Sequence, residues 1–344
     1  MIPRIARVAL CALLPVLAGI GWLAGGAARA DEAPPGGGFS LPLKCTLDRD
    51  CWIINLPDDG RGEKVVDYKC GNRTYNGHEG TDFGIRDFLA VDEGVPVVAT
   101  ADGIVTAARD GTPDHYLHND ETRKLIGRKA CGNAVIVQHA GGWESLYCHM
   151  RKGSVSVKPG DRVDRGDKLG LVGMSGRTQF PHVHVEFRHD DRTLDPFTGA
   201  PVEDGCHASG HSLWLPAAGV HYPDVALYAA GFIDHSPSPQ RIWSTARSPV
   251  SMLRHAPALV LWAAMFGVEP GDILKLRIVD PAGATIADRV VRIDRHRARM
   301  MAYVGRQLAP MGWAPGKWRG EATLERTADG RTLSRRIIVP LIIR

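Results

Sequence analysis

The sequence predicts an all-β protein in two parts, and three observations lead there. Between His78 and Phe197, short apolar runs such as Val95-Pro96-Val97-Val98-Ala99 and Asn133-Ala134-Val135-Ile136-Val137 alternate with glycine turns, as successive short strands do. From Val220 to Arg344 come further strand-like runs: Ile273 to Val279, Thr285 to Ile293, Trp318 to Leu324 and Ile337 to Ile343. Asp280-Pro281-Ala282-Gly283 and Ala328-Asp329-Gly330 supply turns between them. No heptad pattern or internal repeat runs through the chain. The second part therefore reads as a small β-sandwich, of which the immunoglobulin-like arrangement is one form. Its apolar run from Pro257 to Phe266 fits either a strand or a short helix.

In chain order, residues 1–30 read as a secretory signal, with Arg4 and Arg7 ahead of an apolar run from Val8 to Ala24 and an Ala28-Arg29-Ala30 cleavage site. An uncleaved anchor is the alternative, since the run approaches spanning length; the small residues at the cleavage site favour removal. Cys11 lacks the small residue expected before a lipidated cysteine. No other segment is long and apolar enough to span a bilayer, so no stable membrane span is expected after cleavage. Residues 31–38 form a flexible lead-in and 39–75 a cysteine-bearing extension. Residues 76–205 form the first β domain, 206–219 a linker and 220–344 the sandwich. A chain cut near residue 210 is expected to leave a folded first domain. Losing Arg4, Arg7 and Arg29 leaves 39 of the 42 basic residues against 38 acidic ones, so the formal charge falls from +4 to +1. That balance speaks against a nucleic-acid partner, and the basic cluster from Arg292 to Arg299 reads as solvated surface.

Six cysteines follow the leader: Cys45, Cys51, Cys70, Cys131, Cys148 and Cys206. An even number in an exported chain suggests disulfides, with about fifteen pairings open. Cys45 and Cys51 are close enough to shut a short loop. A hairpin turning at Gly141-Gly142 would set Cys148 opposite Val135, which disfavours a bridge from Cys131 to Cys148. No CxxC spacing points to a cysteine metal site.

The chemistry concentrates in histidines. In Pro181-His182-Val183-His184-Val185-Glu186-Phe187 the two rings leave one strand face, a pair able to ligate a metal, polarise water or divide those tasks. Upstream, Gly77-His78-Glu79-Gly80-Thr81-Asp82 carries a histidine and a carboxylate four residues apart. Two glycines and a threonine argue against a helix. An extended strand would part the two by about 13 Å. A loop folded at Gly80 brings them together. His78, Asp82 and His184 then form an N/N/O ligand set with a fourth position for water, the catalytic form of a zinc site. Trp143 to Met150 reads as a strand on which His149 shares a face with Tyr147, so that His149 joins His182 while Cys148 points away into structure. Glu186 shares the face of His182 and His184, as ligand support or as half of a salt bridge. His115 and His118 fall in a polar insertion and read as surface, and His139 reads as a strand-end polar group. Trp313 and Trp318 suit either sugar stacking or core packing.

Taken together, His78-x-x-x-Asp82, Tyr147-x-His149-Met150 and His182-x-His184 followed by Val185-Glu186-Phe187-Arg188 resemble the LytM/lysostaphin-type zinc endopeptidases. The connecting runs Val157 to Val163, Gly166 to Gly173 and Ser175-Gly176 are similar to that family's glycine-punctuated hairpins. The resemblance covers roughly residues 70 to 200. Departures are a longer stretch from Arg109 to Lys129 and the cysteines; neither touches a ligand. The resemblance implies the duplicated-hybrid-motif β-sheet fold and one zinc per chain on His78, Asp82 and His184. His149 and His182 would be the catalytic histidines, with Tyr147 and Glu186 as candidates to support the site from outside. The implied activity is hydrolysis of peptide cross-links in bacterial peptidoglycan, in the periplasm or outside the cell. A leader without a lipid site and a cysteine-rich chain fit a Gram-negative periplasm and D-alanyl to diamino-acid cross-links. Two alternatives remain: a non-hydrolytic LytM-type activator or wall-binding protein, and a zinc D-alanyl carboxypeptidase. Activators of this type have generally lost ligands that this chain keeps; the carboxypeptidase needs a site for a terminal carboxylate that no single arginine here declares.

Overall fold

The computed structural model describes residues 33–62, 64–115, 130–238, 242, 248–308, 311–328 and 330–344. The leader, His118 and the longer stretch beyond His115 lie outside the described residues. Residues 33–344 form one compact unit. Among the described residues helix is confined to α1 (Phe88–Glu93), capped by Asp87, a few single 3-10 turns, and Ile242. Among the described residues no helix is long and apolar enough to cross a membrane.

Among the described residues ten strands build the first half: β1 (Cys51–Asn55), β2 (Thr81–Ile85), β3 (Pro96–Val98), β4 (Gly103–Arg109), β5 (Asn133–Gln138), β6 (Trp143–Met150), β7 (Arg162–Val163), β8 (Lys168–Leu171), β9 (His182–His189) and β10 (Arg192–Leu194). Eight of them form an antiparallel sheet in the order β1-β2-β9-β6-β5-β4-β7, with β10 beside β9, and β3 pairs with β8. Alternation along β9 decides what is core and what is site. Val183, Val185 and Phe187 enter the apolar core, which leaves His182, His184 and Glu186 on the other face.

The cysteine-bearing extension is part of this sheet. It supplies the edge strand β1, and Phe39 stacks on Phe187 with ring centres 4.1 Å apart. Disulfides join Cys45 to Cys51, Cys70 to Cys206 and Cys131 to Cys148. The last corrects the sequence expectation. The β5–β6 hairpin pairs Val135 with Tyr147 rather than with Cys148, and a bulge between Asn133 and Val135 slips the ladder by one residue. Cys131 lies outside the ladder, in the turn before β5, where its carbonyl takes the His149 amide at 2.8 Å; the Cα atoms of Cys131 and Cys148 are 4.9 Å apart. The stretch expected to be a linker is also different. Cys206 is tied to Cys70, and Leu213 and Trp214 are buried in the core, Trp214 edge-on to Phe83 and Phe187.

Among the described residues the second half has eight strands: β11 (Ala226–Ile233), β12 (Ser251–Met252), β13 (Ala258–Val268), β14 (Ile273–Val279), β15 (Thr285–Arg292), β16 (Arg297–Gln307), β17 (Gly316–Ala328) and β18 (Arg331–Ile343). They form two sheets, β11-β13-β16 and β12-β18-β17-β14-β15. With β11, β13 and β16 as A, B and E, and β14, β15, β17 and β18 as C, C′, F and G, this partition follows the immunoglobulin pattern. Trp313 and Trp318 are buried here and donate to the carbonyls of Ala256 and Ala314, which settles them as core. β13 is buried on both faces, and a strand so placed loses its polar alternation. That is why its apolar run read equally as helix. One face (Leu259, Leu261, Ala263, Met265) packs inside the sandwich. From the other, Phe266 meets Trp52, Ile54 and Phe180, while Trp262 and Ala264 pack with Phe88. The small sheet is thus the middle layer between the sandwich core and the first half. A cut near residue 210 would remove Trp214 and bare these residues, so the structure does not favour an independently folded first half.

Trp214→Ala should cost about 3–5 kcal/mol of stability in denaturant unfolding. A loss below about 1 kcal/mol, as expected of an exposed position, would return this stretch to the status of a linker.

Candidate metal centre

Asp82 lies on β2 directly opposite His184 on β9, and Cys148 on β6 is opposite His184 from the other side. His78 comes from the turn before β2, where its amide bonds the Tyr75 carbonyl at 3.1 Å. The fold at Gly80 is one of contact rather than of unusual backbone angle. A Cβ there would lie 2.4 Å from the Val185 carbonyl oxygen and 2.8 Å from Cε1 and Nε2 of His184. Glycine is what lets the chain pass beneath that ring.

Three donor atoms converge. His78 Nε2, Asp82 Oδ1 and His184 Nδ1 are each 3.0 Å from the other two. A point about 2 Å from all three lies about 1 Å off their plane, which matches the bond length and one-sided opening of a catalytic zinc site. The donor chemistry fits as well, two imidazole nitrogens and a carboxylate oxygen. Each donor is oriented from outside. His78 Nδ1 faces the Leu56 carbonyl at 2.6 Å, Asn55 Nδ2 donates to Asp82 Oδ2 at 2.7 Å, and His184 Nε2 meets Glu186 Oε1 at 3.1 Å. Glu186 is fixed in turn by Arg188 at 2.5 Å. The Tyr75 ring stacks on His78 with centres 4.3 Å apart and is half exposed.

His149 and His182 complete the cluster, ring centres 4.6 Å apart. His182 leaves β9 on the face of His184. Its Nδ1 faces the Phe180 carbonyl at 2.8 Å and Thr178 Oγ1 at 3.0 Å, and its Nε2 is 3.4 Å from Asp82 Oδ1. His149 arrives by another route than the one expected. Tyr147 pairs with Val185 and is buried in the core, so strict alternation would send His149 there too. Instead His149 adopts a left-handed backbone, φ +64°, next to the bulge, and its Nδ1 faces the Ser175 carbonyl at 2.8 Å. Tyr147 itself supports no ligand. Its hydroxyl bonds Thr100 and Ser145, and Ser145 bonds His139, a network on the far face of the sheet.

Burial pushes the Asp82 carboxyl up, but the surrounding His78 and His182 hold it well below the usual carboxylate range. Burial lowers His184, yet hydrogen bonds to Asp82 and Glu186 outweigh it and raise the ring to about 9. His149 is driven well below an ordinary histidine by burial and by the nearby His182 and His184, so it stays neutral. Glu186, raised by burial, is held low by His184 and Arg188. Sequence reasoning missed Asn55, Arg188, Thr178 and the carbonyls of Leu56, Ser175 and Phe180. A carbonyl leaves no trace in residue identity; only Asn55, a polar residue ending the apolar run Cys51 to Ile54, carried a visible signal.

Residues 76–196 match the family model described as Peptidase family M23. This stretch is an M23 peptidase domain. Over 128 residues the chain is 33% identical to the DD-carboxypeptidase/endopeptidase Mpg of Neisseria meningitidis, covering 37% of this chain and 24% of that protein. Over 109 residues it is 33% identical to the peptidoglycan DD-endopeptidase ShyA of Vibrio cholerae, covering 32% of this chain and 20% of that one. The matches thus span a quarter or less of these relatives. The crystal structure of a zinc-containing peptidase from Vibrio cholerae aligns at 22% identity and a TM-score of 0.28, over 47% of this chain and 37% of that one.

Two outcomes test the M23 site. Gly80→Ala should push the His184 ring aside and abolish tight zinc binding while circular dichroism stays native; full zinc uptake would contradict the close approach. Against the effect of burial, hydrogen bonds to Asp82 and Glu186 raise the metal-free His184 ring to about 9, so an ion binding at pH 7 is expected to displace its Nδ1 proton. Calorimetry in buffers of differing ionisation enthalpy should find about one proton released per zinc, and none would show that the metal-free ring is already neutral at pH 7.

Proposed function

We propose that this protein is a zinc-dependent endopeptidase that hydrolyses peptide cross-links of bacterial peptidoglycan. The observation that carries the proposal is the equilateral 3.0 Å set of His78, Asp82 and His184 donors with two further imidazoles beside it. Zinc bound by these three residues would supply Lewis acidity to the scissile carbonyl and lower the pKa of a water towards neutrality. The rest is work for the chain's own side chains. His149 and His182 each commit Nδ1–H to a backbone carbonyl, Ser175 and Phe180 respectively, which leaves His149 Nε2 for the cleft and turns His182 Nε2 towards Asp82 Oδ1 at 3.4 Å. Neutral His149 is suited to accept the proton of the attacking water and return it to the leaving amine. His182, its Nδ1–H already given to Phe180, can orient the water as an acceptor at Nε2. Glu186 and Asn55 act indirectly, by fixing the tautomer of His184 and the rotation of Asp82.

An exported address is part of the proposal: the leader-like start and three disulfides suit the periplasm or the extracellular space. A second reading, removal of a terminal D-alanine, is favoured by one observation, the likeness to the Neisseria DD-carboxypeptidase/endopeptidase.

Purified cross-linked muropeptide dimers and uncross-linked pentapeptides, digested with the zinc-loaded protein, separate these readings by mass spectrometry. The endopeptidase converts dimers to monomers. A carboxypeptidase instead shortens the pentapeptide by one alanine, and an activator leaves both intact. His184→Ala should lose zinc and turnover together, whereas His149→Ala should keep most zinc and lose turnover by about 10²–10⁴-fold; equal zinc loss in both would refute this division of roles.

A further inference from the structure

The site's two walls are both held by the second half of the chain. On one side, Phe180 has two faces of contact. Its ring lies 4.5 Å from the ring of His182, and its carbonyl accepts the His182 Nδ1 hydrogen bond. Away from His182 the same ring packs with Phe266 of β13, ring centres 6.4 Å apart, and the Arg299 guanidinium of β16 lies over it at 5.9 Å. Phe266 is 1% exposed and is stacked on Tyr228 of β11 at 4.0 Å, so it has little freedom to retreat.

On the other side, Arg73 is fully buried and reaches Glu269 just beyond β13 at 3.4 Å. It passes over Gly267, where φ is +62° and a Cβ would lie 1.8 Å from Arg73 Nη1. No larger residue leaves room for the guanidinium. The Arg73 carbonyl in turn takes the amide hydrogen of Leu56, whose own carbonyl faces His78. Both chains of contact begin at the end of β13 and finish on imidazoles of the metal centre.

We propose that the C-terminal sandwich is a positioning element of the active site, with Phe266 setting the orientation of His182 through Phe180. Packed interiors transmit displacement because they have few voids to absorb it. Truncating Phe266 opens a cavity behind Phe180, and the carbonyl that fixes His182 moves with that residue. This makes Phe266 a positioning residue, remote from substrate, in a half of the molecule whose role the M23 match leaves open.

The inference rests on the endopeptidase reading, and the test separates the two. In the full-length zinc-loaded protein, Phe266→Ala should retain its zinc, keep KM for a muropeptide dimer within about twofold and lower kcat about ten- to a hundredfold. Phe266→Leu should recover most of that loss. Leu276→Ala, which cuts the sandwich core away from Phe180, should lower Tm comparably and leave kcat near wild type. An unchanged kcat in Phe266→Ala, or an equal fall in Leu276→Ala, would overturn the proposal. Nitrogen-15 spectra of the histidine rings give a readout independent of turnover. The His182 Nδ1–H signal should shift in Phe266→Ala and stay in place in Leu276→Ala. If the wild type leaves dimers intact, the endopeptidase reading fails while this signal still decides the positioning role.

Discussion

A carboxylate removed from water is costly unless other groups replace its hydration, and Asp82 is 2% exposed. Everything around it answers that requirement. Asn55 donates to one oxygen; His78, His182 and His184 surround the other. Such an arrangement is either a charge network awaiting a cation or a waste of stability, because buried ion pairs seldom repay their desolvation by themselves. The strand order β1-β2-β9-β6 meets that need. β1 brings Asn55, β2 carries Asp82, β9 presents both histidines, and β6 delivers His149 past a bulge.

Much of this was legible in the sequence, for one reason: strand alternation has a fixed period. His182 and His184 share a face because they are two apart, and the core face of β9 is apolar at every intervening position. The same rule failed where the period was broken. At Tyr147 and His149 it gave the right neighbour by the wrong route, since the bulge in the β5–β6 pairing and the left-handed backbone at His149 undo the alternation. The Cys131–Cys148 bridge escaped the same rule because Cys131 sits in the turn before β5, off the ladder, where its carbonyl takes the His149 amide. A bulge leaves little mark on composition, so no count of glycines or hydrophobic residues would have located it.

Domain boundaries were hard to read for a different reason. The segment around Cys206 is rich in glycine and histidine and reads as a tether, yet Trp214 a few residues later is locked between Phe83, Phe187 and Phe197. Polar composition describes the exposed residues of such a stretch and conceals the one buried anchor. β13 shows the converse. Buried on both faces, it has no polar side to mark it as the meeting place of two halves.

The M23 domain thus gathers its candidate ligands around one sheet, and Phe266 of a second sheet packs against Phe180 behind them. The central claim is that three donors, from the turn before β2, from β2 and from β9, close on one divalent ion. Anomalous diffraction at the zinc edge, from crystals of the zinc-loaded protein, tests it most directly. The account predicts one strong peak about 2.0–2.2 Å from His78 Nε2, Asp82 Oδ1 and His184 Nδ1. A peak elsewhere, or none beside Asp82, would contradict it.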